Sequence, residues 1–235
     1  MPGGERMGET NRVNAFAVAG LAGLACGAVL MALLHVLPYA HGVDPVRRTI
    51  SEYALGPGKW LFDVAVLLVA LGSAAVFGGL VRHGVVRARS AVTGFGALWT
   101  AGLLTIVAFE KTDWSVGPSL GGTIHRYASV VAFVCLPLAV LLAARAVHPH
   151  SPVRRRLTRA LAVTSLLWFG VILGAVAVML AGGPPWWRAI PLGLVERALA
   201  LNEVLAITAL ALGTLRGRTG MMDVTARRGR LRVPC

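Results

Sequence analysis

Six apolar runs, spanning residues 15–37, 60–81, 91–109, 124–144, 157–181 and 192–215, divide this 235-residue chain into short polar segments. An α-helix needs about 20 apolar residues to cross roughly 30 Å of hydrocarbon. With no water in that layer, a helix spans it by satisfying its own backbone hydrogen bonds. The runs therefore predict an all-α fold, a polytopic membrane helix bundle with six transmembrane helices. Composition agrees: 56% of the residues are hydrophobic and 14% charged, where a soluble domain carries about a quarter charged. The first run is longer than the roughly 7–15 residues of a signal-peptide core and is expected to stay as a span. Gly23 and Gly27 inside it form a GxxxG that permits close helix contact. Three segments follow, a cytoplasmic N-terminal stretch over 1–14, the membrane domain over 15–215, and a basic cytoplasmic tail over 216–235 that is expected to be mobile.

The net charge of +13 needs a different explanation from that of a nucleic-acid-binding protein. Sixteen of the 23 basic residues lie in the N-terminal segment, the second and fourth connections and the tail. The first, third and fifth connections hold only Arg47, Arg48, Lys59, Lys111 and Arg188, and Arg126 and Arg197 open the fourth and sixth spans. Basic residues concentrate on the cytoplasmic side of membrane proteins, so both termini are expected there. Topology accounts for the charge, and no nucleic-acid partner is expected. Trp60, Trp114, Trp186 and Trp187 fall near the opposite, outer boundary, where aromatic rings anchor spans. Cys26 and Cys135 lie in apolar runs and Cys235 is terminal, so neither a disulfide framework nor a lipid anchor is expected.

The longest polar interruption, residues 35–63, lies between the first two spans. Asp44 followed by Pro45 reads as an N-cap and a first-turn proline, and Gly56-Pro57 as a terminator. A short helix over 44–55 is predicted. It would place Val46, Ile50, Tyr53 and Ala54 on one face and Arg47, Arg48, Ser51 and Glu52 on the other, with Arg48 and Glu52 spaced to pair. Tyr39 and Trp60 bracket it, as expected of an amphipathic helix lying in the membrane interface.

The carboxylates outside the N-terminal segment and tail are Asp44, Glu52, Asp63, Glu110, Asp113, Glu196 and Glu203, all expected on or below the outer side. His35, His41, His125, Arg126 and Arg197 are placed with them. Glu203 lies eleven residues into the last run, about 16 Å deep at 1.5 Å per residue. An ionisable group near the bilayer centre costs about 2.5–3.5 kcal/mol unless it is paired, protonated or hydrated. Glu196 precedes it by seven residues on the same helical face. His125, with Ser129 one turn below, can act as a general acid or base. No second histidine stands at i+3 or i+4 from His125, and the chain has no nucleotide-binding or nucleophile-elbow motif, so neither metal nor cofactor is expected. His125, Arg126, Glu196 and Arg197 are expected to form one cluster, because both pairs open helices at the outer ends.

DPVRRTISEYA after the first span, FEKTD closing the third, GGTIHR opening the fourth and GLVER opening the sixth resemble domain-of-unknown-function family 998 over roughly residues 15–215. The resemblance implies a six-span prokaryotic membrane protein, hence a bacterial plasma membrane, and draws attention to Asp44, Ser51, Asp113, His125, Glu196 and Arg197. It transfers no reaction. Members often carry a proline in the segment matching FEKTD, where this chain has Glu110-Lys111. The residues favour binding or transport of a polar or anionic small molecule or lipid head group through an outward-facing polar pocket. Asp44, Arg47, Arg48, Ser51, Asp113, His125, Arg126, Glu196, Arg197 and Glu203 are the candidate contacts. The competing readings are an intramembrane enzyme acting on an outer-leaflet lipid, with His125 as acid or base and Ser51 as nucleophile, and a structural partner subunit. The expected partners are membrane lipids and that ligand, and the sequence leaves the oligomeric state open.

Overall fold

The computed structural model describes the backbone of residues 4–37 and 42–230 and the side chains of 15–37 and 42–215. Tyr39, His41 and Cys235 lie outside the described residues, as do the side chains of Arg6, Arg12 and the tail from Arg216. Among the described residues seven α-helices follow in order: α1 Gly4–Leu33, α2 Lys59–Arg82, α3 Ala91–Ala108, α4 Leu120–Val147, α5 Pro152–Leu180, α6 Trp186–Ala189 and α7 Leu192–Arg230. A 3-10 helix, Ile50–Leu55, lies between α1 and α2. All but α6 contain a stretch long and apolar enough to cross a bilayer, and no strand occurs among the described residues. An even number of crossings returns the chain to the face it started from. The face carrying the first, third and fifth connections is called the first-loop face below.

Helices α4 and α5 begin earlier than their apolar runs because polar caps and first turns belong to them. Ser119 accepts from the Gly122 amide and starts α4 four residues before Ile124. Pro152, suited to a first helical turn, starts α5 ahead of its arginines. Lipid-side positions stay apolar: Leu71, Leu98, Leu167 and Leu201 are exposed while Leu80, Leu136, Leu199 and Leu210 fill the core.

Small residues set the close helix contacts. Between α1 and α2, a side chain on Gly23 would stand 2.9 Å from the Leu68 carbonyl oxygen and 3.0 Å from the Gly72 Cα, so the two backbones nearly touch. The GxxxG of α1 sits at this crossing. Elsewhere polar side chains bridge helices at depth. The Trp99 indole of α3 donates to Ser73 of α2, and Asn202 of α7 donates to Ser165 of α5. His148, which caps the end of α4, hydrogen-bonds Thr158 of α5. Burial and the Arg154 charge hold this histidine below the ordinary value near 6.5.

The first connection departs from the expected single helix. Asp44 does cap it, its Oδ1 accepting from the amides of Val46 and Arg47 at 2.8 and 3.3 Å. The turn it opens stops at Thr49, which is extended at φ −63°, ψ 159°, and the 3-10 helix follows. A continuous helix would need Pro45 and Val46 to accept from the amides four residues on. Both carbonyls are already taken. Pro45 accepts from Arg197 of α7, Val46 from the Leu194 amide, and the Ile50 amide turns away to Glu196. Tertiary partners thus replace the local ladder. The apolar face survives in Ile50, Tyr53 and Ala54, which are buried, whereas Val46 is exposed.

Candidate functional site at the first-loop face

The start of α7 grips the first connection. Glu196 Oε2 accepts from the Ile50 amide at 2.8 Å. Arg197 Nη1 donates to the carbonyls of Pro45, Arg48 and Gly193 at 2.8, 2.7 and 3.0 Å, and its Nε donates to His35 Nε2 at 2.7 Å. The guanidinium also lies over the Tyr53 ring, 5.8 Å from its centroid, and that ring meets His35 edge to face. Loop and helix approach so closely that a side chain on Gly193 would press on the Arg48 and Pro45 carbonyls. The Leu194 amide, one of the donors a helix N-terminus leaves without an internal partner, is satisfied by Val46.

A second clip joins the first and third connections. Lys111 Nζ donates to Glu52 Oε2 and, at 2.8 Å, to Thr49 Oγ1. Lys59 pairs with Asp63 at 2.9 Å and reaches Glu110 at 3.6 Å. The expected Arg48–Glu52 pair forms at 3.7 Å with Arg48 largely exposed. The third connection is fixed in turn to α4. His125, buried at the start of that helix, hydrogen-bonds through Nδ1 to the Phe109 carbonyl at 2.8 Å, and Thr112 packs where a side chain on Gly122 would sit. Asp113 caps its own turn by accepting from the amide and hydroxyl of Ser115, which holds its carboxyl below the usual range.

His125 and Arg126 are not joined to Glu196 and Arg197 by any hydrogen bond or ion pair among the described residues. His125 serves the third connection, and Arg126 is exposed and stacks over Trp114 at 5.5 Å. Arg47 is exposed on the turn. Ser51 is half-buried, its Oγ 3.2 Å from Thr49 Oγ1, which itself accepts a hydrogen bond from Lys111. A nucleophilic serine needs a base within hydrogen-bond reach. This hydroxyl chain leads to an ammonium instead.

Below these clips, on the α7 face that carries Glu196, lie Leu199, Glu203, Ile207 and Leu210, all fully buried from Leu199 onward. Among the described residues, both buried Glu203 oxygens lack a hydrogen-bond partner, and so does Arg197 Nη2. The neighbouring Asn202 is engaged with Ser165, so partners exist at that depth. A groove between α1 and α2, lined by Gly23, Cys26, Leu68 and Gly72, is apolar and belongs to neither cluster. No group of three metal-ligating side chains occurs among the described residues.

The residues absent from the expected contacts are Lys59, Lys111, His35, Glu52 and Tyr53. For the two lysines the signal was in the composition. Arginine supplies all but two basic residues, and both lysines, Lys59 and Lys111, lie at the first-loop face beside carboxylates.

Compared with known families, residues 18–213 match the family model described as Protein of unknown function (DUF998). No curated protein and no solved structure matches the chain.

Proposed function

The chain belongs to this family of unknown activity, and from that premise we propose that it binds or transports a polar or anionic small molecule or lipid head group. The first-loop face would be outward, with both termini on the cytoplasmic side of a bacterial plasma membrane, as the distribution of basic residues favours.

Glu203 carries this reading. A glutamate kept for structure has a partner, because an unsatisfied ionisable group in the membrane costs about 2.5–3.5 kcal/mol or more. Glu203 is fully buried, and neither oxygen has a partner among the described residues. A proton, a water or a ligand group completes it. Arg197 Nη2, buried and unpartnered nearer the first-loop face, supplies a donor suited to an anionic group. Asp44, Arg47, Arg48 and Ser51 belong to the segment gripped above these groups, and Asp113, His125 and Arg126 to the adjoining clip and helix start. Catalysis is less favoured, since Ser51 has no base beside it among the described residues.

Infrared difference spectroscopy of the protein in lipid vesicles tests the reading. Subtracting the Glu203→Gln spectrum isolates the Glu203 carboxyl band. That band should change between about pH 5 and pH 9 if the group exchanges protons or meets a ligand whose charge depends on pH. A band fixed across that range overturns the proton-coupled form of the proposal.

A further inference from the structure

The tautomer of His35 follows from its two neighbours. Arginine only donates, so the 2.7 Å contact from Arg197 Nε requires a lone pair on His35 Nε2. The opposite nitrogen, Nδ1, stands 2.8 Å from the Met31 carbonyl, which only accepts, and must carry the hydrogen. His35 is thus neutral in this structure, with both ring nitrogens committed. Adding a proton would place an N–H against an N–H at that distance and a positive charge against a guanidinium.

We propose that the His35–Arg197 hydrogen bond is an acid-sensitive latch: protonation of His35 displaces Arg197 and loosens the 44–50 turn against α7. Arg197 shares the hold on the turn with Leu194 and Glu196, and its guanidinium alone binds both the Pro45 and Arg48 carbonyls. Its displacement removes two of the four hydrogen bonds that join turn and helix. Among the described residues, the carboxylates of the neighbouring elements are already engaged, Asp44 of the turn with the Val46 and Arg47 amides. Tyr53 of the 3-10 helix presents its ring, and Glu196 of α7 is engaged with the Ile50 amide. Glu52 is bound by Lys111, and Lys59 and Asp63 at the start of α2 are paired with each other. The latch stands on this geometry alone and is independent of what Glu203 binds.

Hydrogen–deuterium exchange of the full chain in nanodiscs, at about pH 8 and about pH 5 and corrected for intrinsic exchange, reads the latch directly. Histidine changes charge between these values. In the wild type, exchange over 44–50 and 192–197 should rise about tenfold or more at the lower pH, with little change across α4 and α5. His35→Gln offers a carbonyl oxygen to Arg197 Nε and cannot take up the proton. It should keep wild-type protection at both pH values. Equal protection of the wild type at the two values overturns the latch even if the variant does not fold. So does a pH response that persists in His35→Gln, or one that is abolished by His125→Gln while His35→Gln leaves it intact.

Discussion

Glycine at position 193 is required by the closeness of two backbones rather than by its own conformational freedom. A methyl group there would push on the Arg48 and Pro45 carbonyls and on Arg197 Nη1, all of them fixed. Overpacking of this kind costs about 1–3 kcal/mol. Gly78 of α2 is the contrast, with nothing within 4 Å of the added carbon. Gly193→Ala should lower the thermal midpoint of the purified protein, whereas Gly78→Ala should leave it unchanged or raise it, alanine being the better helix former by about 1 kcal/mol. Equal effects of the two substitutions would contradict the close approach of loop and helix. Glu196 and Arg197 were legible as charged residues at a helix start. Their targets were not, because backbone carbonyls 149 and 152 residues earlier leave no mark in a sequence pattern.

Among the elements, the spans were the easiest to read, since a bilayer imposes its thickness on each of them separately. The first connection was harder. Its caps and apolar spacing are those of a helix, and local preference yields only where α7 claims the carbonyls of Pro45 and Val46. The expected grouping of His125 and Arg126 with Glu196 and Arg197 assumed that equal depth means contact. The two helix starts instead hold different connections, His125 the third and Glu196 with Arg197 the first. What joins those connections is the Lys111–Glu52 pair. Both partners are mostly buried, at 17% and 23% side-chain exposure, while Arg48 in the neighbouring pair is 63% exposed. A hydrogen bond to a charged, shielded partner contributes about 1.5–3 kcal/mol, and an exposed ion pair at most about 1 kcal/mol. A double-mutant cycle with Lys111→Met and Glu52→Gln should therefore show clear coupling, and one with Arg48→Met and Glu52→Gln almost none. Reversed magnitudes would move the join between the two connections to Arg48.

For the whole molecule, six crossings make the two faces unequal: one collects the interlocked connections and the other most of the basic residues. In a chain with its native cysteines replaced, an impermeant thiol reagent applied to intact cells should label a cysteine at Ser119 and spare one at Ser151. The opposite pattern would invert the orientation and put the Glu203 side of the bundle in reach of the cytoplasm. The hydrogen bond from Ile50 to Glu196 joins residues 146 positions apart, and this bears on biogenesis. A ribosome delivers the first connection long before the helix that secures it, so the turn at Arg47 and Arg48 has to wait, its carbonyls served by water, until the last span arrives. A chain stopped before Leu192 should insert five spans yet be cut by trypsin at that turn, while the full chain resists. The final span would then act as the closing step of assembly, the one that turns five inserted helices into a sealed protein.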